Sequence, residues 1–315
     1  MTPVPPLPAK QFPIDRDSSR RDNPDLFDLL WADPATRVLA VHEGKVLLNL
    51  EPSATSASLN LHPVDAVTSA QFRVYLGLTT SDAVEPSGTP VVLAVLSTNG
   101  AHQLEPNPDA WHDVRKTRVS LSERDSTLYL QALALANFHQ SHSHCARCGK
   151  PTMIQQGGWS RICLEDNRQT FPRTDPAIIV AVTDDEDRIL LGSQGVWEAN
   201  RWSVLAGFVE AGEDLVTTVI REVEEESGVH VHQVEYFSSQ AWPFPNSLMI
   251  GFRAKLDPSF GNQELRPDGV EIVKVRWFSR DEVREGIANH SLVLPGPITI
   301  ARRLIEDWFG GPYDD

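Results

Sequence analysis

Short apolar runs broken by turn residues fill the first third of the chain, and helical spacing then takes over. "TRVLAVHEGKVLLNL", "FRVYLGLTT" and "TPVVLAVLST" are separated by Gly, Asp, Ser and Pro, which predicts strands of a small mixed domain. About 25 Pro-rich, polar residues precede them and read as extended or poorly ordered. From Asp125 to His142 breakers are few, and Leu128, Ala132, Leu135 and Phe138 recur at helical spacing. The pattern predicts a helix leading out of that domain. Cysteines follow between Cys145 and Cys163, and "PAIIVAVTDDEDRILLGSQ" then predicts two strands around an acidic turn. Strand and helix patterns alternate from there to the carboxyl terminus, "SLMIGFRAKL" among the strands. No internal repeat is evident.

One helical stretch is unusual. "GFVEAGEDLVTTVIREVEEESGV" runs from Gly207 to Val229 and sets four glutamates within five positions. Glu213 and Asp214 suit a helix amino terminus, and Gly228 suits its carboxyl cap. Val216, Val219, Ile220 and Val223 fall on one apolar stripe that should pack on a sheet. Glu222, Glu225 and Glu226 share the adjoining face, while Glu224 points away. Arg221, four before Glu225, is placed to hold one carboxylate. Three carboxylates so placed repel by about 4 kcal/mol per pair at 4 Å and an effective dielectric near 20. A hard divalent cation reverses that sign, because Mg²⁺ and Mn²⁺ take oxygen ligands shared between carboxylates and phosphates. The competing reading is a solvated acidic helix face.

Composition narrows the chemistry. A net charge of −15 and a pI near 5.1 oppose non-specific binding to nucleic acid or anionic membrane. An anionic substrate would need metal ions as intermediaries. No apolar run approaches the roughly 20 residues of a membrane span, and prolines interrupt the amino terminus where a signal peptide needs an apolar core. The expected location is cytoplasmic, with no membrane partner. At 315 residues the chain has room for more than one domain. Its three cysteines fit metal better than a disulfide framework: Cys145-x2-Cys148, fourteen residues, then Cys163. Asp166 stands where a second x2 spacing would end, so a structural Zn²⁺ held by Cys145, Cys148, Cys163 and Asp166 leads. Glu165, His144 or His142 as fourth ligand, or a site without metal, remain open.

The acidic helix and its flanks carry a resemblance. Gly207, five residues, Glu213, seven residues, then Arg221-Glu222-Val223-Glu224-Glu225-Glu226-Ser227-Gly228-Val229 resembles a complete Nudix box. Gly207 and Gly212 make sense there because residues without Cβ allow close backbone approach to metal or phosphate. Ten residues later "SQAWPFPNS" resembles the SQPWPFPxS array of the NADH pyrophosphatase (NudC-type) family. Read as an extended segment, it puts Trp242 and Phe244 on one side and Pro243 and Pro245 on the other. A buried strand start is the plainer alternative. The likeness spans most of residues 140 to 310, with one departure: Ala241 replaces the family's proline.

The resemblance implies an α/β (α+β) protein: an αβα-sandwich Nudix domain at 173–315, preceded by a smaller Nudix-like domain at 1–140 and a zinc ribbon at 141–172. It implies hydrolysis of NAD(H) to AMP and nicotinamide mononucleotide, with removal of NAD caps from RNA 5′ ends as a further activity. Catalytic Mg²⁺ or Mn²⁺ would be held by Glu222, Glu226, Glu271 and the carbonyl of Ala206, with Glu225 as base. Gln240, Ala241, Trp242, Pro243, Phe244, Pro245, Asn246 and Ser247 would line the dinucleotide site, with Phe171, Phe208 and Ala301. The family ribbon takes part in dimerisation, so a homodimer is expected. Arg115 is read as solvated, with a phosphate contact as the other possibility. Competing functions are a Nudix hydrolase of ADP-ribose or other nucleoside diphosphate derivatives, and a non-catalytic Nudix-fold sensor.

Overall fold

A computed structural model describes residues 12–50, 55–81, 84–117 and 120–313, so residues 1–11 of the Pro-rich arm lie outside the described residues. The chain forms two compact units, Met1–Arg173 and Thr174–Asp315. No helix among the described residues is long and apolar enough to cross a membrane.

The first unit is built on a mixed sheet whose central strands, Phe72–Thr79, Pro90–Val95 and Arg37–His42, are the apolar runs of the sequence. Arg37–His42 and Lys45–Leu50 form a hairpin. Its two-residue turn takes positive φ at both Glu43 and Gly44, the geometry that matches strand twist. Helix Glu123–Ser141 starts on the Ser122 cap and buries Leu128, Ala132, Leu135 and Phe138. The leading arm is more ordered than expected from Phe12 onward. Ile14–Asp15 adds an edge strand beside Phe72–Thr79, and Tyr75 donates to Asp17 at 2.7 Å. A buried anchor, Ile14, overrides the polar composition around it. The unit ends in a three-stranded ribbon, Thr152–Gln155, Ser160–Cys163 and Gln169–Thr170.

In the second unit the strand Asp175–Thr183 runs parallel to Ser247–Leu256 and antiparallel to Ile189–Gln194 and Leu205–Phe208. Its residues Ala177 to Val182 are all buried, as a strand covered on both faces must be. Alternate side chains separate two cores. Ile179 and Ala181 pack with Leu304, Ile305 and Trp308 of the terminal helix Ile300–Phe309. Ile178, Val180 and Val182 pack with Val219 and Val223 of the acidic helix Leu215–Ser227. Helix, sheet, helix is the resulting layering. A capping box between Ser279 and Glu282 starts the remaining helix, Arg280–Ala288.

The predicted apolar stripe of the acidic helix needs correction. Val219 and Val223 are fully buried, each contributing about 1.5–3 kcal/mol, whereas Val216 and Ile220 are exposed. The buried face rotates instead toward Thr218, Glu226 and Ser227. That rotation carries a carboxylate into the interior.

Candidate active site and metal centres

Asp214 caps the acidic helix, accepting from the N–H groups of Val216 and Thr217 at 2.9 Å each. Gly228 closes it with φ 74°. Between these caps the carboxylates have unlike environments. Glu222 lies against strand Leu205–Phe208, and a Cβ on Gly207 would sit 1.9 Å from its Cδ. Gly207 is therefore required for close approach of a side chain. Gly212 has open space around it and is required by its φ of +97°.

Arg221 holds more than the single carboxylate expected. Its Nε donates to Glu213 Oε1 at 2.6 Å and its Nη2 to Glu213 Oε2 at 2.9 Å. Nη1 bridges Glu222 at 2.8 Å and Glu225 at 3.0 Å, and Nη2 also donates to the carbonyl of Phe208. The hydrogen bonds from Arg221 pull the Glu213 carboxyl down to about 2. Sequence spacing missed this pair because Glu213 lies in the loop before the helix, where i, i+4 rules do not reach.

Glu226 has no such cation among the described residues. It is 4 % exposed, and its Oε2 has no hydrogen-bond partner among the described residues. Burial raises its pKa from 4.5 to about 8, reinforced by the charges of Glu222, Glu271 and Asp268 and opposed by a backbone hydrogen bond with Ala206. Burial also raises Glu222, even with Arg221 beside it. A buried carboxylate kept short of a partner costs stability. A hard divalent cation would supply what is missing, so the donor set fits one: carboxylates of Glu222, Glu226 and Glu271 beside the Ala206 backbone. Glu225 is the exposed member of the face, tethered only through Arg221.

The segment expected to be extended is a hairpin turn. Trp242 pairs with Ser247 across it, and Pro243 to Asn246 turn the chain. The Trp242 and Phe244 rings meet edge to face at 5.0 Å, and the Phe244–Pro245 peptide is cis. Asn246 donates to Asp175 at 2.9 Å and fastens the turn to the central strand. Ala241 is not in the turn; it pairs with Leu248 on the edge strand Val231–Trp242. Gln240 engages both ends of its amide with backbone, donating to Ile298 O at 2.6 Å and accepting from Ile300 N at 2.7 Å. That contact orients the start of the terminal helix, in which Ala301 is buried. Phe208 is exposed at the end of its strand, and Phe171, also exposed, belongs to the first unit. Arg115 is paired, its Nη2 lying 2.7 Å from Asp113. His230 stacks on Phe260, with ring centroids 3.9 Å apart.

In the ribbon, the ligand atoms of Cys145, Cys148, Cys163 and Asp166 all lie within 4.8 Å of one another. Cys148 Sγ is 3.5 Å from Cys163 Sγ, and Cys145 Sγ is 3.6 Å from Asp166 Oδ2. A tetrahedral zinc with bonds near 2.3 Å has edges of about 3.8 Å. Soft thiolates, one carboxylate and these spacings fit zinc. His142 and His144 bond instead to neighbouring serine hydroxyls.

The layered unit with its acidic helix defines a Nudix domain, and a family model described as NUDIX domain matches residues 173–295. Others, described as NADH pyrophosphatase zinc ribbon domain and NADH pyrophosphatase-like rudimentary NUDIX domain, match residues 140–171 and 35–137. The protein called NAD-capped RNA hydrolase NudC in Mycobacterium tuberculosis is 37 % identical over 304 residues, 90 % of this chain and 96 % of its own length. The chain belongs to the NADH pyrophosphatase (NudC-type) family of Nudix hydrolases. NAD-capped RNA hydrolase NUDT12 of Homo sapiens is 34 % identical over 209 residues, 62 % of this chain and 44 % of that protein. A NUDIX hydrolase crystal structure from Nitrosomonas europaea covers 54 % of this chain and 94 % of its own, with 24 % identity and a TM-score of 0.40.

Proposed function

We propose that this chain hydrolyses the diphosphate of NAD(H) to AMP and nicotinamide mononucleotide, and removes NAD from capped RNA 5′ ends. Water adds its oxygen to one phosphorus, the bridging P–O bond breaks, and each half departs as a monophosphate. Divalent cations, Mg²⁺ or Mn²⁺, would supply charge neutralisation for the diphosphate and activation of the attacking water. Glu222, Glu226, Glu271 and the Ala206 carbonyl would hold them. Glu225, the exposed carboxylate on the face, would accept the proton of the water. Arg221 Nη1 bridges Glu222 and Glu225 and offsets their mutual repulsion. The Trp242–Ser247 turn offers aromatic rings to a base or nicotinamide.

The observation that carries this reading is Glu226, a buried carboxylate whose Oε2 has no hydrogen-bond partner among the described residues. Zinc at Cys145, Cys148, Cys163 and Asp166 would be structural, since the ribbon contributes no group to the chemistry above. A cytoplasmic homodimer completes the proposal. It is tested by chromatography of NADH incubated with the protein and Mn²⁺ or Mg²⁺. AMP and nicotinamide mononucleotide should appear in equal amounts and cease on chelation; an intact dinucleotide would refute it.

A further inference from the structure

Glu271 lies in a turn, ahead of the strand Ile272–Phe278, and a loop residue serves as a ligand only if its backbone is held. Three attachments hold this one. The N–H of Arg266 donates to Ser227 O at 2.8 Å, tying the loop to the carboxyl end of the acidic helix. Ile272 is buried in the same core as Val219 and Val223. Between these anchors stands Asp268. Its Oδ1 accepts from the N–H of Val270 at 3.0 Å, Glu271 at 3.2 Å and Ile272 at 2.8 Å, and Gly269 N donates back to Ile272 O.

We propose that Asp268 is a positioning residue for the cation site, fixing through these three N–H groups the backbone from which Glu271 reaches the acidic face. The inference rests on Glu271 being a ligand. Oδ1 takes all three N–H groups and Oδ2 shares only that of Glu271, at 3.2 Å, so the contribution of Asp268 is its acceptor position more than its charge. Nothing in the sequence spacing of the acidic helix points to it; the Pro-Asp-Gly turn signal is the only trace.

Mn²⁺ binding to the full chain, read from the loss of the free-ion electron paramagnetic resonance signal, needs no turnover and separates the possibilities. Asp268→Asn keeps the acceptor oxygen and loses the charge; Asp268→Glu keeps the charge and moves the acceptor. Asp268→Asn should bind Mn²⁺ within about threefold of wild type, while Asp268→Glu and Glu271→Gln weaken it by about tenfold or more. Asp268→Glu binding like wild type, or Asp268→Asn losing as much as Asp268→Glu, would overturn the inference while Glu271→Gln remains weakened. An unchanged Glu271→Gln would instead overturn the reading of Glu271 as a ligand.

Discussion

Each unit buries carboxyl groups, and in the second unit one of them, Glu226, has no cationic partner among the described residues. In the first unit Glu85 and Asp125 are both buried against Arg124, at 2.7 and 2.8 Å, and Asp125 also accepts from Leu59 N. In the second, Glu226 is as deeply buried but has no cation, and an oxygen without a partner, among the described residues. A buried charge that carries its own counter-ion is a structural element. One that lacks it is where the proposed cation would be held. The difference explains how a rudimentary Nudix-like unit and a hydrolytic one can share a chain.

The comparison breaks most sharply at Glu226. Glu226→Gln should lower turnover of NADH by about 10³-fold or more, because a ligand worth several kcal/mol is lost. Its metal-free fold should be at least as stable as wild type. Arg124→Met should do the reverse. Two buried carboxylates then lose their partner, and chemical denaturation should show a loss of about 3 kcal/mol or more with activity per folded molecule unchanged. The ribbon is a third case, in which soft ligands are already converged. Asp166→Ala should weaken zinc retention by about 100-fold in a chelator competition, with the turnover of the zinc-loaded protein unaltered.

Acidity sharpens the contrast further. Glu226 is raised from 4.5 to about 8, so the neutral form is favoured in the folded, metal-free chain. Its stabilising contribution is present in full below about pH 4.5 and is lost as pH rises to about 8. Metal-free stability should therefore fall across that window by at most about 1.4 kcal/mol per pH unit, and Glu226→Gln should flatten this part of the profile. The smallest effect belongs to Ala241→Pro. Ala241 is exposed on an edge strand, where proline is tolerated, so kcat/KM should change by less than about threefold.

Much of this was legible in the sequence because it is local. The helix caps Asp214 and Gly228, the strands around the acidic turn and the box of carboxylates all follow from short spacings. What was not legible depends on contacts across the fold. The rotation that exposes Val216 and Ile220 and buries Glu226 is set by the sheet beneath the helix. Gly207 could be matched to a motif, but its task, making room for the Glu222 carboxylate, appears only when strand and helix meet. In the Trp242–Ser247 run, proline stiffening and the alternation of aromatic and proline residues are compatible with an extended segment as well as with a turn. Its turn is visible only once both neighbouring strands are paired. Asp268 and Gln240 act through backbone groups of later segments, which side-chain patterns do not encode.

Anomalous diffraction from crystals soaked in Mn²⁺ tests the central claim most directly. The account predicts manganese peaks bonded to Glu226 and Glu222, with the formerly unpartnered Oε2 of Glu226 among the ligands. Manganese bound elsewhere, with Glu226 Oε2 still unpartnered at saturating metal, would contradict it.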